Sequence, residues 1–210
     1  MIESMELLKA RNMQMWVRLE NGNNTMDYAL LEEKFIDNIF AQSVFNLPKG
    51  SVVLDAGAHI GTYTFRILDD RRDLLVIAME PIPDNYGLFI KNVIANNLHD
   101  RIYPLQFALS SIEGYINLFN YGNEGAWSAI PQNIKSIRHI PVYGITLKDV
   151  MNLTQVDNID YIKLDIEGME TSVLQSLDLS RVKGLDVECH NNSIEYLQSY
   201  LSKQGFNVKR

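Results

Sequence analysis

The sequence predicts an α/β fold in which a mostly parallel sheet is covered by helices on both faces. Three observations carry this expectation. Short apolar runs such as Val52-Val53-Leu54 and Leu74 to Met79 alternate with amphipathic stretches, which is the pattern of βαβ units. A glycine-bearing loop from Asp55 to Gly61 joins one such run directly to a helix start. The length, 210 residues, suits one domain with a sizeable core.

Taken in order, residues 1–47 are expected to form an N-terminal helical segment. Leu30, Leu31, Phe35, Ile39 and Phe40 recur at helical spacing over residues 27–45. Pro48-Lys49-Gly50 reads as a turn and Ser51 to Ala56 as a buried strand, followed by a helix from about Thr62 to Asp69. The second strand is Leu74 to Glu80; Pro81 and Pro83 end it, and Asp84 opens a helix to about Asn97. Tyr103 to Leu109 is the third strand. Residues 114–146 break the pattern, because Gly114, Gly122, Gly125, Pro131, Pro141 and Gly144 interrupt alternating runs. An inserted hairpin or lid is expected there, then a short helix near Leu147 to Leu153. The pattern resumes with a strand at Ile159 to Leu164 and a helix around Glu170 to Leu177. A fifth strand at Gly184 to Cys189, a helix at Ile194 to Gln204 and a last strand at Phe206 to Lys209 complete it.

Composition narrows the function. The formal charge of −7 repels phosphates, and Arg71-Arg72 is the only basic pair outside the C-terminus, so nucleic acid is a disfavoured partner. Cys189 stands alone, which fits a reducing compartment. Glu3, Glu6, Lys9 and Arg11 exclude an apolar signal core or membrane span at the N-terminus, and a cytoplasmic location is expected.

The loop Asp55-Ala56-Gly57-Ala58-His59-Ile60-Gly61 is the most informative segment. Gly57 permits the turn and lets a ligand approach the backbone, and the helix start offers free N–H groups to a carboxylate. Glu80 ends the next strand, where an acid accepts hydrogen bonds from ribose hydroxyls. A dinucleotide site carries Gly-x-Gly-x-x-Gly; here Asp55 occupies the first glycine position. A carboxylate there repels pyrophosphate but suits an ammonium, which favours S-adenosylmethionine over a nicotinamide cofactor. His59 is expected beside the loop, as a polar filler or at the cofactor.

Four blocks together resemble the FkbM family of methyltransferases: Leu54-Asp55-Ala56-Gly57-Ala58-His59-Ile60-Gly61, Glu80-Pro81-x-Pro83, Ile162-Lys163-Leu164-Asp165-Ile166-Glu167-Gly168-x-Glu170, and Glu188-x-His190. The resemblance spans about residues 30–208. It implies a class I methyltransferase (Rossmann-like) three-layer sandwich with S-adenosylmethionine as cofactor. It also implies O-methylation of a hydroxyl on a sugar, glycan unit, polyketide or other small metabolite. By the same resemblance Asp55, Gly57, Gly61 and Glu80 with Pro81 hold the cofactor. Phe107-Ala108-Leu109-Ser110 then lies along the adenine.

In an open parallel sheet, ligands bind beyond the carboxyl ends of the strands. Asp165 and Glu167 stand at one such end and Glu188 and His190 at another, each pair spaced to share a face if the strand continues. An alcohol attacking a sulfonium methyl has to lose its proton, and a His or carboxylate within reach accepts it. His190 is the first choice as base, with Asp165, which is also expected at the cofactor, close behind. Glu167 and Glu188 are expected at the substrate, as are Trp127 and Tyr121 of the interrupted segment, where aromatic rings suit a sugar face. The plain readings are that Asp165 caps the following helix, that Glu170 supports local hydrogen bonding, and that Glu188 pairs with Lys163. No spacing demands a metal, and none is expected.

Two other functions are weighed. A base methyltransferase needs an Asn/Asp-Pro-Pro-aromatic corner or a loop cysteine, and the sequence has Asp165-Ile166-Glu167-Gly168 and a strand-borne Cys189 instead. A non-catalytic binding module gains weight from the C-terminus, where Phe206 to Lys209 supplies only the first of the two final strands usual in class I methyltransferases, so that the sheet is expected to be one strand short. Such an exposed edge favours a homodimer.

Overall fold

The structure, a computed structural model, describes residues 4–20, 23–37, 42–120, 127–130, 138–189 and 194–209. Its centre is a five-stranded sheet of β4 (Val52–Ala56), β5 (Leu75–Met79), β6 (Ile102–Leu105), β10 (Tyr161–Leu164) and β11 (Gly184–Val187). The spatial order is β11-β10-β4-β5-β6, and every pair in it is parallel. Side chains alternate across this sheet. Val53, Val76, Ala78 and Tyr161 enter one apolar cluster, with residues of α1 (Met26–Phe35), α2 (Thr62–Asp70) and α3 (Pro83–Ala95). Leu54, Ala56, Ile77, Met79, Ile162 and Leu164 enter the other, with α4 (Leu147–Thr154), α5 (Glu170–Ser176) and α6 (Ile194–Lys203). The chain therefore forms three layers, helices over both faces of a parallel sheet.

The N-terminal helical segment is corrected at its beginning. Residues 4–24 form an antiparallel sheet of β1 (Ser4–Ala10), β2 (Met13–Glu20) and β3 (Asn23–Asn24). The reason is a period of two: Met13, Met15 and Val17 are fully buried and alternate with Gln14, Trp16 and Arg18. Asn92 of α3 holds β2 in place, its Oδ1 accepting from Trp16 N–H at 2.6 Å and its Nδ2 donating to the Trp16 carbonyl at 3.2 Å. The expected long helix over 27–45 is the shorter α1 and, separately, a single 3-10 turn at Gln42–Asn46.

The expected insertion is a hairpin of β8 (Gly114–Asn120) and β9 (Arg138–Ile145), joined by the short β7 (Ala108–Leu109). Ser128 bridges back to Phe119, which brings Trp127 inward. The expected strand at Phe206 to Lys209 does not form. Its alternation is met by half-burying Phe206 and Val208 against the sheet's second cluster, with no ladder alongside. None of the helices among the described residues is long and apolar enough to cross a membrane.

Candidate active site

The order of the sheet reverses at β4, which lies between its sequence neighbour β5 and the distant β10. At such a switch point the two connections leave on opposite faces and open a crevice beyond the strand ends. A cavity of about 340 Å³ lies there, within the range of small-molecule sites. Gly57, His59, Glu80, Pro81, Ala108, Leu109, Trp127, Asp165, Glu167 and Glu188 all line it, so ten of the expected site residues meet in one place.

Asp55 and Gly61 do not line the cavity, and the structure gives each another task. The Asp55 side chain is fully buried, accepts from Thr64 Oγ1 at 2.6 Å and pairs with Lys163 Nζ at 3.4 Å. Asp55 and Lys163 are register partners on adjacent strands, which puts both side chains on one face. Gly61 sits at φ +93° before α2, where an added Cβ would lie about 2.5 Å from the rings of Phe65 and Phe89. His190 and Tyr121 lie outside the described residues.

Gly57 is required for a reason other than ligand approach. At φ +81°, an added Cβ would stand 1.8 Å from the backbone oxygen of Asp165. The turn after β4 and the end of β10 therefore touch, backbone to backbone. Lys163 clamps the contact: its Nζ donates to the Gly57 carbonyl at 2.8 Å and to Asp165 Oδ2 at 3.3 Å. Burial works against the ammonium, but Asp165 and Asp55 more than offset it and raise its pKa, so it stays charged.

The strand does not continue through Asp165 and Glu167. β10 ends at Leu164, and Glu167 and Gly168 form a turn with φ of +53° and +108°. Glu170, almost wholly buried, holds this turn by accepting from the N–H groups of Ile166 and Gly168. The carbonyl of Glu167 accepts from Ser128 Oγ and Ala129 N–H, both at 3.2 Å, which fastens the insertion to the same turn. Asp165 does not cap α5, whose N-cap is Met169 with no side-chain cap bond.

Across the cavity, Glu80 is buried with its Oε1 accepting from Ile82 N–H and Asn85 Nδ2 and its Oε2 accepting from His59 N–H. Burial raises its pKa to about 7 against those donors and Lys163. His59 has φ +54°, and burial, with Arg18 and Lys163, lowers its pKa to about 4 against the opposing pull of Asp27 and Asp165. Its Nδ1 is buried without a hydrogen-bond partner among the described residues.

Sequence reasoning paired Lys163 with Glu188, where the structure pairs it with Asp55 and Asp165, and passed over Arg18 and Asp27. Lys163 had a signal, since a lysine inside a buried strand has to be paired. Arg18 and Asp27, which reach His59 from β2 and α1, had none, because nothing local links them to the loop.

The parallel sheet, its reversal at β4 and the cavity at that reversal are those of a class I methyltransferase, an enzyme that draws its methyl group from S-adenosylmethionine. More particularly, the chain belongs to the family described as the Methyltransferase FkbM domain, which matches residues 55–208. It is 24% identical over 215 residues to methyltransferase sdnD of Sordaria araneosa, covering 86% of this chain and 82% of that one. It is 25% identical over 229 residues to the AMB antimetabolite synthetase AmbE of Pseudomonas aeruginosa, covering 88% of this chain but 11% of the synthetase. The crystal structure of methyltransferase FkbM from Methylobacillus flagellatus superposes with a TM-score of 0.55 at 17% identity, over 83% of this chain and 41% of that one.

Proposed function

We propose that this enzyme is an O-methyltransferase acting on a hydroxyl of a small metabolite, a sugar or glycan unit or a polyketide-type natural product. The observation that carries the reading is the Asp165 carboxylate, part-exposed on the cavity wall beside the Gly57 turn and braced by Lys163. The relative named as an antimetabolite synthetase supports a small-molecule acceptor.

The residues fit the methyl donor. Glu80, ringed by donors at the tip of β5, is placed to accept from ribose hydroxyls. Phe107, Ala108 and Leu109 give an apolar wall for the flat base. The Nδ1 of His59, without a partner among the described residues, leaves room for a polar group of the ligand. When bound, the sulfonium supplies a methyl carbon already electrophilic enough for direct displacement. What remains for the protein is alignment and a proton acceptor. An alcohol oxygen becomes strongly acidic as it gains the methyl group, so even an ion-paired carboxylate is base enough to take its proton. Asp165 fills that role, and Lys163 fixes its orientation. Glu167 and Glu188 face the same cavity and accept from other hydroxyls of the acceptor. The half-buried Cys189 has its thiol pKa raised by burial and by the charges of Glu170 and Glu188, which argues against a thiolate nucleophile.

The test is a screen of sugar and polyketide hydroxyl acceptors with labelled cofactor, each hit repeated with its deoxy analogue. Turnover lost on removing one hydroxyl supports the reading; methyl transfer to nitrogen or carbon sinks it. Asp165→Asn is expected to lower kcat on the order of 100-fold or more while S-adenosylhomocysteine affinity holds. An unchanged kcat removes Asp165 as base.

A further inference from the structure

Arg18 lies in β2, ahead of the residues matched by the family, yet it reaches the cofactor loop. Its guanidinium forks onto the buried Asp27 of α1, Nε to Oδ2 at 2.8 Å and Nη2 to Oδ1 at 2.7 Å. The backbone N–H of Arg18 also donates to Oδ2 at 2.9 Å, so the pair is rigid. From this fixed position Nη2 stands 3.3 Å from Nε2 of His59.

A guanidinium has donors and no acceptor, so Nε2 of His59 is the accepting nitrogen and the ring proton resides on Nδ1. That is the nitrogen left buried without a partner among the described residues, on a residue that lines the cavity. The ring is thus held with one donor in hand and no acceptor for it among the described residues. Among the polar groups at the amino-acid end of the cofactor, the ammonium and sulfonium are cationic and only the carboxylate accepts. Lys163 is a second cation acting on the ring, set against the opposite charges of Asp27 and Asp165. We infer that Arg18 is a positioning residue for the methyl donor: by donating to Nε2 it fixes His59 as the Nδ1–H tautomer and aims that proton at the carboxylate of the cofactor. The inference rests on S-adenosylmethionine as cofactor and is independent of which acceptor is methylated.

Two readouts test it. Long-range proton–nitrogen NMR of histidine-labelled protein at pH 7, with His59 assigned by its loss in His59→Gln, is expected to show Nδ1 protonated and Nε2 bare. An Nε2–H ring or an imidazolium in the wild-type protein overturns the inference. In Arg18→Met the charged groups still facing the ring are Asp27, Asp165 and Lys163, with Asp27 Oδ1 3.6 Å from Nε2. Removing the cation is expected to move the ring to Nε2–H and its titration upward. The second readout is calorimetry with S-adenosylhomocysteine and with 5′-methylthioadenosine, which lacks the amino-acid end. Arg18→Met is expected to weaken the first about tenfold and leave the second unchanged. His59→Phe, which keeps the Arg18–Asp27 fork, serves the same comparison if Arg18→Met does not fold. Equal loss of both ligands, or loss of neither, overturns the role of Arg18 alone. A wild-type protein that binds neither ligand overturns the cofactor assignment with it.

Discussion

The ammonium of Lys163 donates to the carbonyl oxygen of Gly57 at 2.8 Å and thereby ties the end of β10 to the turn after β4. The same ammonium compensates Asp55, which is fully buried, and Asp165 at the cavity wall. Removing it leaves a buried carboxylate without its cation, a change that costs about 3–5 kcal/mol. Lys163→Met is therefore expected to lower the urea midpoint sharply. Adding Asp55→Asn to that variant is expected to recover part of the loss. Additive losses in the double variant would mean that the two side chains do not act as a pair.

Gly57→Ala forces apart two backbones that now touch. Its Cβ would meet the Asp165 oxygen at 1.8 Å, and neither backbone segment is free to give way. The variant is expected to lose about 3 kcal/mol or more by chemical denaturation, or to fail to fold. Gly50 provides the control: its φ of +79° is similar, but nothing lies within 4 Å of an added Cβ. Gly50→Ala is expected to cost only about 1 kcal/mol, the conformational part alone.

Glu80 is expected to make cofactor binding pH-dependent. With its pKa at about 7 through burial, the free protein holds a proton there at acidic pH, while the proposed role of receiving ribose hydroxyls needs the carboxylate. Affinity for S-adenosylhomocysteine is expected to rise about tenfold from pH 6 to pH 8 and then level off. Binding at pH 7 is expected to release about half a proton, measurable by calorimetry in buffers of different ionisation heat. Glu80→Gln is expected to bind weakly with a flat pH profile; a retained slope assigns the titration to another group.

His59 acts on stability in the acid range. Its folded pKa of about 4 lies below the ordinary value of 6.5 because burial opposes the imidazolium. Between those values the unfolded chain binds the extra proton, so the neutral ring's contribution is present above pH 6.5 and is lost as pH falls toward 4. The stability of wild type relative to His59→Gln is expected to fall by about 3 kcal/mol from pH 7 to pH 4. Glu80 has the opposite sign between 4.5 and 7, so the difference between the two proteins, rather than the wild-type curve, is the quantity to measure. A difference that does not change with pH removes His59 as its source.

Much of the central sheet was legible because its signals are local. Val52-Val53-Leu54 and Ile162-Lys163-Leu164 are apolar runs whose ends coincide with turn residues, and α3 starts at Pro83 as its proline requires. The N-terminal sheet was missed although Met13, Met15 and Val17 carry its period of two, since the helical spacing downstream was extended back over it. The tail at Phe206–Lys209 shows the converse: alternation records which side chains are buried, and Phe206 and Val208 are half-buried without a strand beside them.

The sequence by itself determined the layered parallel fold, the position of the loop from Asp55 to Gly61 and the family, because periodicity and contiguous motifs are properties of neighbouring residues. Only the tertiary structure decided what each loop residue does. Gly57 is a glycine because the carbonyl of Asp165 presses on it, Asp55 is taken by Thr64 and Lys163, and His59 meets the guanidinium of Arg18 at 3.3 Å. Each of those partners beyond the loop's own helix arrives from far along the chain, Lys163 to Gly57 across 106 residues. Sheet register and backbone contact set such approaches, and no local pattern encodes them.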